Sequence, residues 1–547
     1  MPAIVSPARG NGQGRSAPFS RRGAGGCPAY AAPMTDRSTG RSRLLAMAAA
    51  TPSDRDRYVD FLRGFSIIVV VLGHWLIAVV TWEGGSIEGR NALEVIDGLW
   101  LLTWVLQVMP LFFFVGGFSN LRSLKAAQRS GGGYASFVHS RMIRMLRPTL
   151  VFLGVGSVVT VSLDALNVAD NVVFPASTLI TRPLWFLGVY MIVVALAPVM
   201  ISLHERWGVS VLAFLALIAV VVDLIRFGAN LSAIGYVNYP VVWLLAHQLG
   251  FFYADGTLTD RIGRWMAPAG LAAMVGLIAF GPYPGSMVGL STDEFSNMDP
   301  PTLMIVSLIV WQVGIAMVVR APVSHWLSRV RVWAAVIFVN SVIMTAFLWH
   351  LTAMLWGIGI LYPLGWPQPT AGSAQWWLLR PVWVLALAIL LGGFVGLFGR
   401  FEQRAGQRTG ERDRGSVVGA AVASWLLVLG VLGFALGGMH QLFGTGTELI
   451  VFQLNPAANL VHLVLGGIAL WAAVRSGRTA AIALGAVAVG LVFLALAGAA
   501  GGYVADHLVL DGPGSLAHGM LAAVATVGAV RLLWYPPETP PGTARPA

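Results

Sequence analysis

The apolar positions of this chain fall in long runs separated by short polar loops. Ten runs lie at roughly 60–82, 97–121, 146–168, 183–203, 209–226, 238–254, 266–282, 302–319, 334–362 and 376–399. Each is long enough to cross a bilayer, which takes about 17–25 residues in a helix. The charged stretch "GRFEQRAGQRTGERDRG" interrupts the pattern after the tenth. Four more runs follow near 416–437, 458–474, 479–499 and 514–533. Helix is the expected form, because a backbone in lipid must satisfy its own hydrogen bonds. The pattern predicts an all-α polytopic membrane protein with a ten-span domain over 58–400. A charged cytoplasmic linker at 401–415 then leads into a four-helix membrane domain over 416–535. Residues 1–57 are rich in Arg, Gly, Ser, Ala and Pro and read as a disordered tail, as do 536–547.

Composition sharpens this picture. The chain is 56% hydrophobic and only 11% charged, too little charge to coat a soluble fold of its length. The net charge of +11 does not point to nucleic acid, because the arginines sit mostly in short loops between apolar runs. Lys125 is the only lysine, so the arginine excess reads as GC-rich codon usage. Basic loops alternate with loops nearly free of positive charge, which places the N-terminus, the even-numbered loops and the C-terminus in the cytoplasm. The expected location is a bacterial cytoplasmic (inner) membrane. Cys27 is the only cysteine, so neither an internal disulfide nor a thiolate metal cluster is expected.

Within this apolar background a few polar residues stand out. "DFLRGFSIIVVVLGHWL", residues 60–76, carries Arg63 and His74 on nearly one helix face, roughly 16 Å apart along the axis. Ionisable groups inside a membrane are candidate functional residues by default. The plainer reading is a histidine bonded between helices, with Arg63 snorkelling to the interface. His350, in "FLWHL", lies at similar depth in another outward-running span, which suits either a buried polar site or a structural pair. Arg141, Arg144 and Arg147 in "HSRMIRMLRP" form a basic stripe before the third span, either an anchor to lipid phosphates or a grip on a phosphorylated ligand. Trp185 and Tyr190 suit an interfacial belt, and Asp223 with Arg226 suits a local ion pair. "NPAANLVHLVLGGIALWAAV" (455–474) faintly resembles "DGPGSLAHGMLAAVATVGAV" (511–530), hinting at a duplicated hairpin bearing His462 and His518.

Together these residues resemble the acyltransferase-3 family of integral membrane acyltransferases. The family's Asp-x-x-Arg-Gly opening and Arg-x10-His motif match Asp60, Arg63, Gly64 and His74. Its Arg-x-x-Arg motif matches Arg141 and Arg144, and its late-span histidine matches His350. "LFFFVGGF" matches the second span, except that Gly116 stands where the family usually has serine. The resemblance covers about 55–400 and ten spans is the family's count. It implies transfer of an acyl group, often acetyl, from an acyl-CoA to a hydroxyl of an envelope carbohydrate, glycolipid or secreted metabolite. On that reading His74 is the base, acting directly or through an acyl-histidine, and Arg63 orients the donor. Arg141 and Arg144 hold the CoA phosphates, while Asp60, His350 and Trp185 are further cavity candidates. Acyl-CoA is a substrate, so no bound cofactor or metal is expected, and the partners are donor, acceptor and membrane lipid. Two other classes remain open: a transporter or flippase with His74 and His350 lining its path, and a silent scaffold. Residues 416–535 lie outside the resemblance and look somewhat like small four-helix membrane domains of unknown function.

Overall fold

The computed structural model describes residues 40–83, 86–168, 170–403, 416–444, 446–449, 452–501 and 503–534. The chain from Leu44 onward forms one compact unit; of the other, Met1–Arg43, only the first turn of a helix is described. Among the described residues, thirteen helical segments are long and apolar enough to cross a membrane, and the chain is a multi-pass integral membrane protein.

The helices are α1 (Gly40–Ala49), α2 (Arg57–Ile77), α3 (Ala92–Val95), α4 (Leu102–Leu106), α5 (Met109–Arg129), α6 (Tyr134–Ala165) and α7 (Asp170–Thr181). Next come α8 (Leu184–Trp207), α9 (Val209–Gly228), α10 (Asn238–Ala254), α11 (Asp260–Phe280), α12 (Leu303–Leu327), α13 (Val330–Ser341), α14 (Ile343–Leu361) and α15 (Ala374–Gln403). The C-terminal part holds α16 (Val417–Gly437), α17 (Pro456–Ala473), α18 (Arg478–Ala500), α19 (Tyr503–Leu508) and α20 (Gly512–Trp534). Two antiparallel hairpins complete the fold: β1 (Ala78–Glu83) with β2 (Ser86–Asn91), and β3 (Thr447–Leu449) with β4 (Phe452–Leu454).

Several boundaries differ from the hydropathy pattern, each for a local reason. The first span stops at Ile77, and the β-branched run from Val79 turns into β1. The Arg380 guanidinium donates to the carbonyls of Trp75 and Ala78, satisfying that helix end. The second span runs from Leu99, just after the left-handed turn at Gly98 (φ 76°), and its long helix α5 starts at Met109, where Pro110 suits a helix's first turn. The third begins at Tyr134, so α6 runs unbroken through Pro148 and carries Arg141, Arg144 and Arg147 itself. The run at 334–362 is two helices, broken at Val342. The expected ion pair of Asp223 with Arg226 is absent. Asp223 instead accepts from Asn238, Tyr283 and the Leu303 amide, while Arg226 bonds the Pro300 carbonyl. Part of the expected N-terminal tail is helical: α1 lays Ala48 against Trp333. The linker beyond Gln403 and the tail beyond Trp534 lie outside the described residues.

One end of the bundle gathers the basic loops. There Tyr253 donates to Asp56, which also caps α2. Arg320 pairs with Asp260 and Lys125 with Glu205. At the other end the 281–302 loop folds back on Trp104 and Tyr239. Between the two ends α5 and α10 cross at closest approach. A Cβ on Gly117 would lie 1.9 Å from the His247 carbonyl oxygen, and one on Gly250 2.1 Å from that of Phe114. Helices in lipid associate through such small residues, since burial of apolar surface supplies no drive there. In the C-terminal part α16 is the most buried span. It lies along α6, α7 and α8, with Leu432 filling the space over Gly188 and the Met439 carbonyl accepting from Thr160.

The crossing is testable. Gly250→Leu should cost more than the ~1–3 kcal/mol typical of overpacking, because backbone on α5 has no way to yield. Gly276→Leu, with open space at its Cβ, should leave thermal unfolding in detergent unchanged.

Candidate active site

His74 and His350 meet. Their rings stack with centroids 5.0 Å apart and 12° between planes, and His74 Nδ1 lies 2.7 Å from His350 Nε2. The tautomers follow from the third member of the chain. His350 Nδ1 is 2.6 Å from the Phe347 carbonyl oxygen, which can only accept, so that nitrogen carries the hydrogen. His350 Nε2 is then a lone pair and accepts from His74 Nδ1–H. Neutral His74 is thereby left with its lone pair on Nε2. This is the arrangement of a base oriented by a second residue. His350 is fully buried, whereas His74 is only partly so. The Trp75 indole donates to the His350 carbonyl at 2.9 Å, so α2 and α14 are clasped at this level.

At the basic end, the Asp60–Arg63–Gly64 opening is a structural node. Arg63 donates from Nε to Asn340 (2.6 Å) and from Nη2 to Asp60 (3.1 Å), and Asp60 also receives Arg55. Asn340 returns a bond to the Asp60 carbonyl. Gly64 lets α13 come this close: its Cβ would sit 3.3 Å from Asn340 Nδ2. Arg141 is held by the Ser119 carbonyl and the Ser123 hydroxyl in the second half of α5. Arg144, one turn on, is exposed. Arg63 and Arg141 are each close enough to Arg144 and to Tyr190 to interact electrostatically. The three arginines therefore form one cationic group, with a phenol on its membrane side.

An aromatic column joins this group to the dyad. Ring centroids step from Tyr190 to Phe186 (6.1 Å), to Phe347 (5.5 Å) and to His350 (6.1 Å). Tyr190 also explains the odd residue of "FFFVGGF". A Cβ on Gly116 would lie 2.8 Å from its ring and 3.2 Å from its hydroxyl, so the phenol occupies the space a serine would need. Trp185 stands apart, its described ring contacts being with Phe186 and Tyr239 rather than with either histidine.

The sequence alone did not single out three supports. Glu402, at the far end of α15, accepts from the Met344 amide (3.1 Å), the Thr345 amide (2.9 Å) and the Thr345 hydroxyl (2.8 Å). It thus caps the helix that carries His350, with negative charge at the positive end of the dipole. Asn340 is the second support. The third is a buried polar centre at the α5–α10 crossing: Asn120 donates to His247 Nε2 at 2.9 Å. Beside it Gln248 bonds His204, which bonds Asp255. Burial would raise the Asp255 carboxyl, but bonds from Thr257 and His204 hold it below its ordinary value. For Asn340, Asn120 and His247 the only sequence signal was polarity inside apolar runs, and Glu402 read as part of the charged linker. Among the described residues no cluster of three or more His, Cys, Asp or Glu assembles.

The family model of an acyltransferase domain, acyltransferase-3, matches residues 56–399. A second model, of a domain of unknown function (DUF4383), matches 416–531. Comparison with curated proteins gives no match, and comparison with solved structures gives none.

Removing the Glu402 cap should loosen the dyad without touching it. Glu402→Ala is expected to cost about 1 kcal/mol locally and to speed hydrogen exchange at the Met344 and Thr345 amides. Acyl transfer should fall with it, while exchange in α5 and α10 stays unchanged.

Proposed function

We propose that this chain, which belongs to the acyltransferase-3 family of integral membrane acyltransferases, moves an acyl group from cytoplasmic acyl-CoA to a hydroxyl on an envelope carbohydrate, glycolipid or secreted metabolite. The observation that carries this reading is the His74–His350 dyad, whose tautomers leave a lone pair on His74 Nε2. An alcohol is a poor nucleophile until a base takes its proton as it attacks. His74 Nε2 accepts the hydroxyl proton, the oxygen bonds to the thioester carbonyl carbon, and the C–S bond breaks. The thiolate leaves with the proton that His74 returns, giving an ester and free CoA. His350 holds His74 in the productive tautomer and disperses the transient positive charge.

The donor enters from the basic end, and the alternation of arginine-rich loops supports reading that end as cytoplasmic. Arg144 is exposed there, and Arg141 is pre-positioned by Ser119 and Ser123, as a bidentate grip on phosphate requires. Arg63, tied to Asp60 and Asn340, guides the pantetheine arm inward along the Tyr190–Phe186–Phe347 column. The roughly 16 Å between Arg63 and His74 along α2 suits a CoA whose phosphates stay at the surface while its thioester reaches the dyad. Acetyl is the simplest chain for so aromatic a path. The flippase alternative accounts for a polar path but gives the fixed tautomers no role.

His74→Ala should lower acyl transfer by about 10²–10⁴-fold. Acylated envelope glycans, lipids and secreted metabolites compared between wild-type and variant strains would show it. Unchanged acylation would remove His74 from the chemistry. Arg144→Ala should instead raise the KM for acyl-CoA with kcat nearly preserved, as loss of uniform binding does.

A further inference from the structure

The arginine stripe of α6 serves two places. Arg141 and Arg144 join Arg63. Arg147, six residues beyond Arg141, points about 120° further round the helix. It comes within electrostatic range of His139 on the same helix, and so does Arg475, just past the end of α17. Both arginines are exposed and His139 is half-buried. Arg475 lays its guanidinium over the Trp471 ring, 5.2 Å from the centroid. The ten-span domain and the C-terminal domain thus each bring an arginine to one spot at the basic end of the bundle.

That spot opens onto an apolar groove of about 440 Å³. Leu146 and Leu150 of α6 form one wall, and Leu460, Val464, Ile468 and Trp471 of α17 form the other. The α17 residues recur every three or four positions, so they make one stripe, which Arg475 continues. The opposite face of α17 is turned inward: His462 meets His518 of α20 there, with Nε2 atoms 2.9 Å apart. Leu146 is buried at the floor of the groove, whereas Leu150, Val464 and Trp471 stand exposed along it. Gly467 also lines it, and a Cβ there would meet nothing within 4 Å.

Length, depth and charge name the occupant. From Trp471 to Leu460 the groove follows α17 for about 16 Å, close to one leaflet of a hydrocarbon core about 30 Å thick. Its volume lies within the range of about 300–1,000 Å³ usual for ligand sites, and its shape suits an acyl chain lying along the helix. Trp471, level with the arginines, suits the headgroup boundary. Two guanidiniums there favour a phosphate whose head is net negative, because a choline head would set its own cation against them. We propose that this groove binds one anionic phospholipid, with an acyl chain along α17 and its phosphate on Arg147 and Arg475. The lipid then bridges α6 of the acyltransferase domain and α17 of the C-terminal domain. The site shares no residue with the His74–His350 dyad or with the proposed grip on acyl-CoA, and it does not depend on either.

The test uses the full chain in detergent with phosphatidylglycerol and, separately, phosphatidylcholine carrying the same photoreactive acyl chain. Phosphatidylglycerol should label peptides spanning 143–150 and 460–471, and phosphatidylcholine should label them several-fold less. This preference is read in the wild-type chain, so it does not depend on how any variant folds. Gly467→Leu, whose Cβ meets open space, should abolish the label and leave thermal unfolding in lipid-free detergent unchanged. Arg147→Gln and Arg475→Gln should each lower phosphatidylglycerol labelling about fivefold and leave phosphatidylcholine labelling unchanged. His74→Ala should alter none of these. Excess inorganic phosphate should not compete, because the chain supplies much of the binding. Equal labelling by the two lipids, label unaffected by Gly467→Leu, or competition by inorganic phosphate would each overturn the proposal. A lipid-free dimer that Gly467→Leu dissociates would assign the groove to a second copy of the chain and overturn it as well.

Discussion

The candidate active site depends on one hydrogen bond between two imidazoles, His74 on α2 and His350 on α14. It has meaning only because a second bond, to the Phe347 carbonyl, decides which nitrogen holds which proton. An imidazole pair without that anchor would have either tautomer open to it. The rest of the ten-span domain keeps the pair in register. Trp75 ties α2 to α14 at the same level, Asn340 ties α2 to α13 lower down, and Glu402 caps α14 from outside. Each is a polar group in an apolar setting, and each is satisfied by a different helix. In lipid, where apolar burial does not drive helices together, such bonds and close glycine contacts define the assembly.

The cationic end follows a different rule. Arg63 and Arg141 are not flexible surface charges but side chains held by Asp60, Asn340, Ser119 and Ser123. Fixing a guanidinium in advance removes the entropy that a phosphate would otherwise have to cover. Arg144 stays exposed beside them. A rigid pair with one adaptable neighbour suits the phosphorylated donor proposed above, which would have to dock and leave. Tyr190 lies where this group meets the aromatic column, in space opened by Gly116.

Much of this was legible in the chain, for identifiable reasons. Helices in lipid need long apolar runs, so their order could be read directly, and of the fourteen runs read only 238–254 (α10, 17 residues) is not among the thirteen spanning segments. The shared depth of His74 and His350 followed from counting residues along two spans expected to run outward. What could not be read was anything set by a partner distant in sequence. The end of α2 depends on Arg380, some 300 residues away, and the break at Val342 on Glu402. Tyr190 looked like an interfacial residue because its neighbour on α5 lay beyond any local pattern. Asn120 and His247 were polar letters in apolar runs until the α5–α10 crossing joined them. The weak repeat around His462 and His518 was visible, but only folding showed that the two copies face each other.

Glu402 also marks where this protein can and cannot be cut. The acyltransferase match ends at residue 399, and the apolar run of α15 ends there too. A fragment trimmed at that point would look complete by hydropathy and by family. It would lack the carboxylate that closes the first turn of the helix bearing His350. The stretch that holds His350 in place is therefore longer than the matched sequence, and it ends on a surface-looking acid in what reads as the start of a linker.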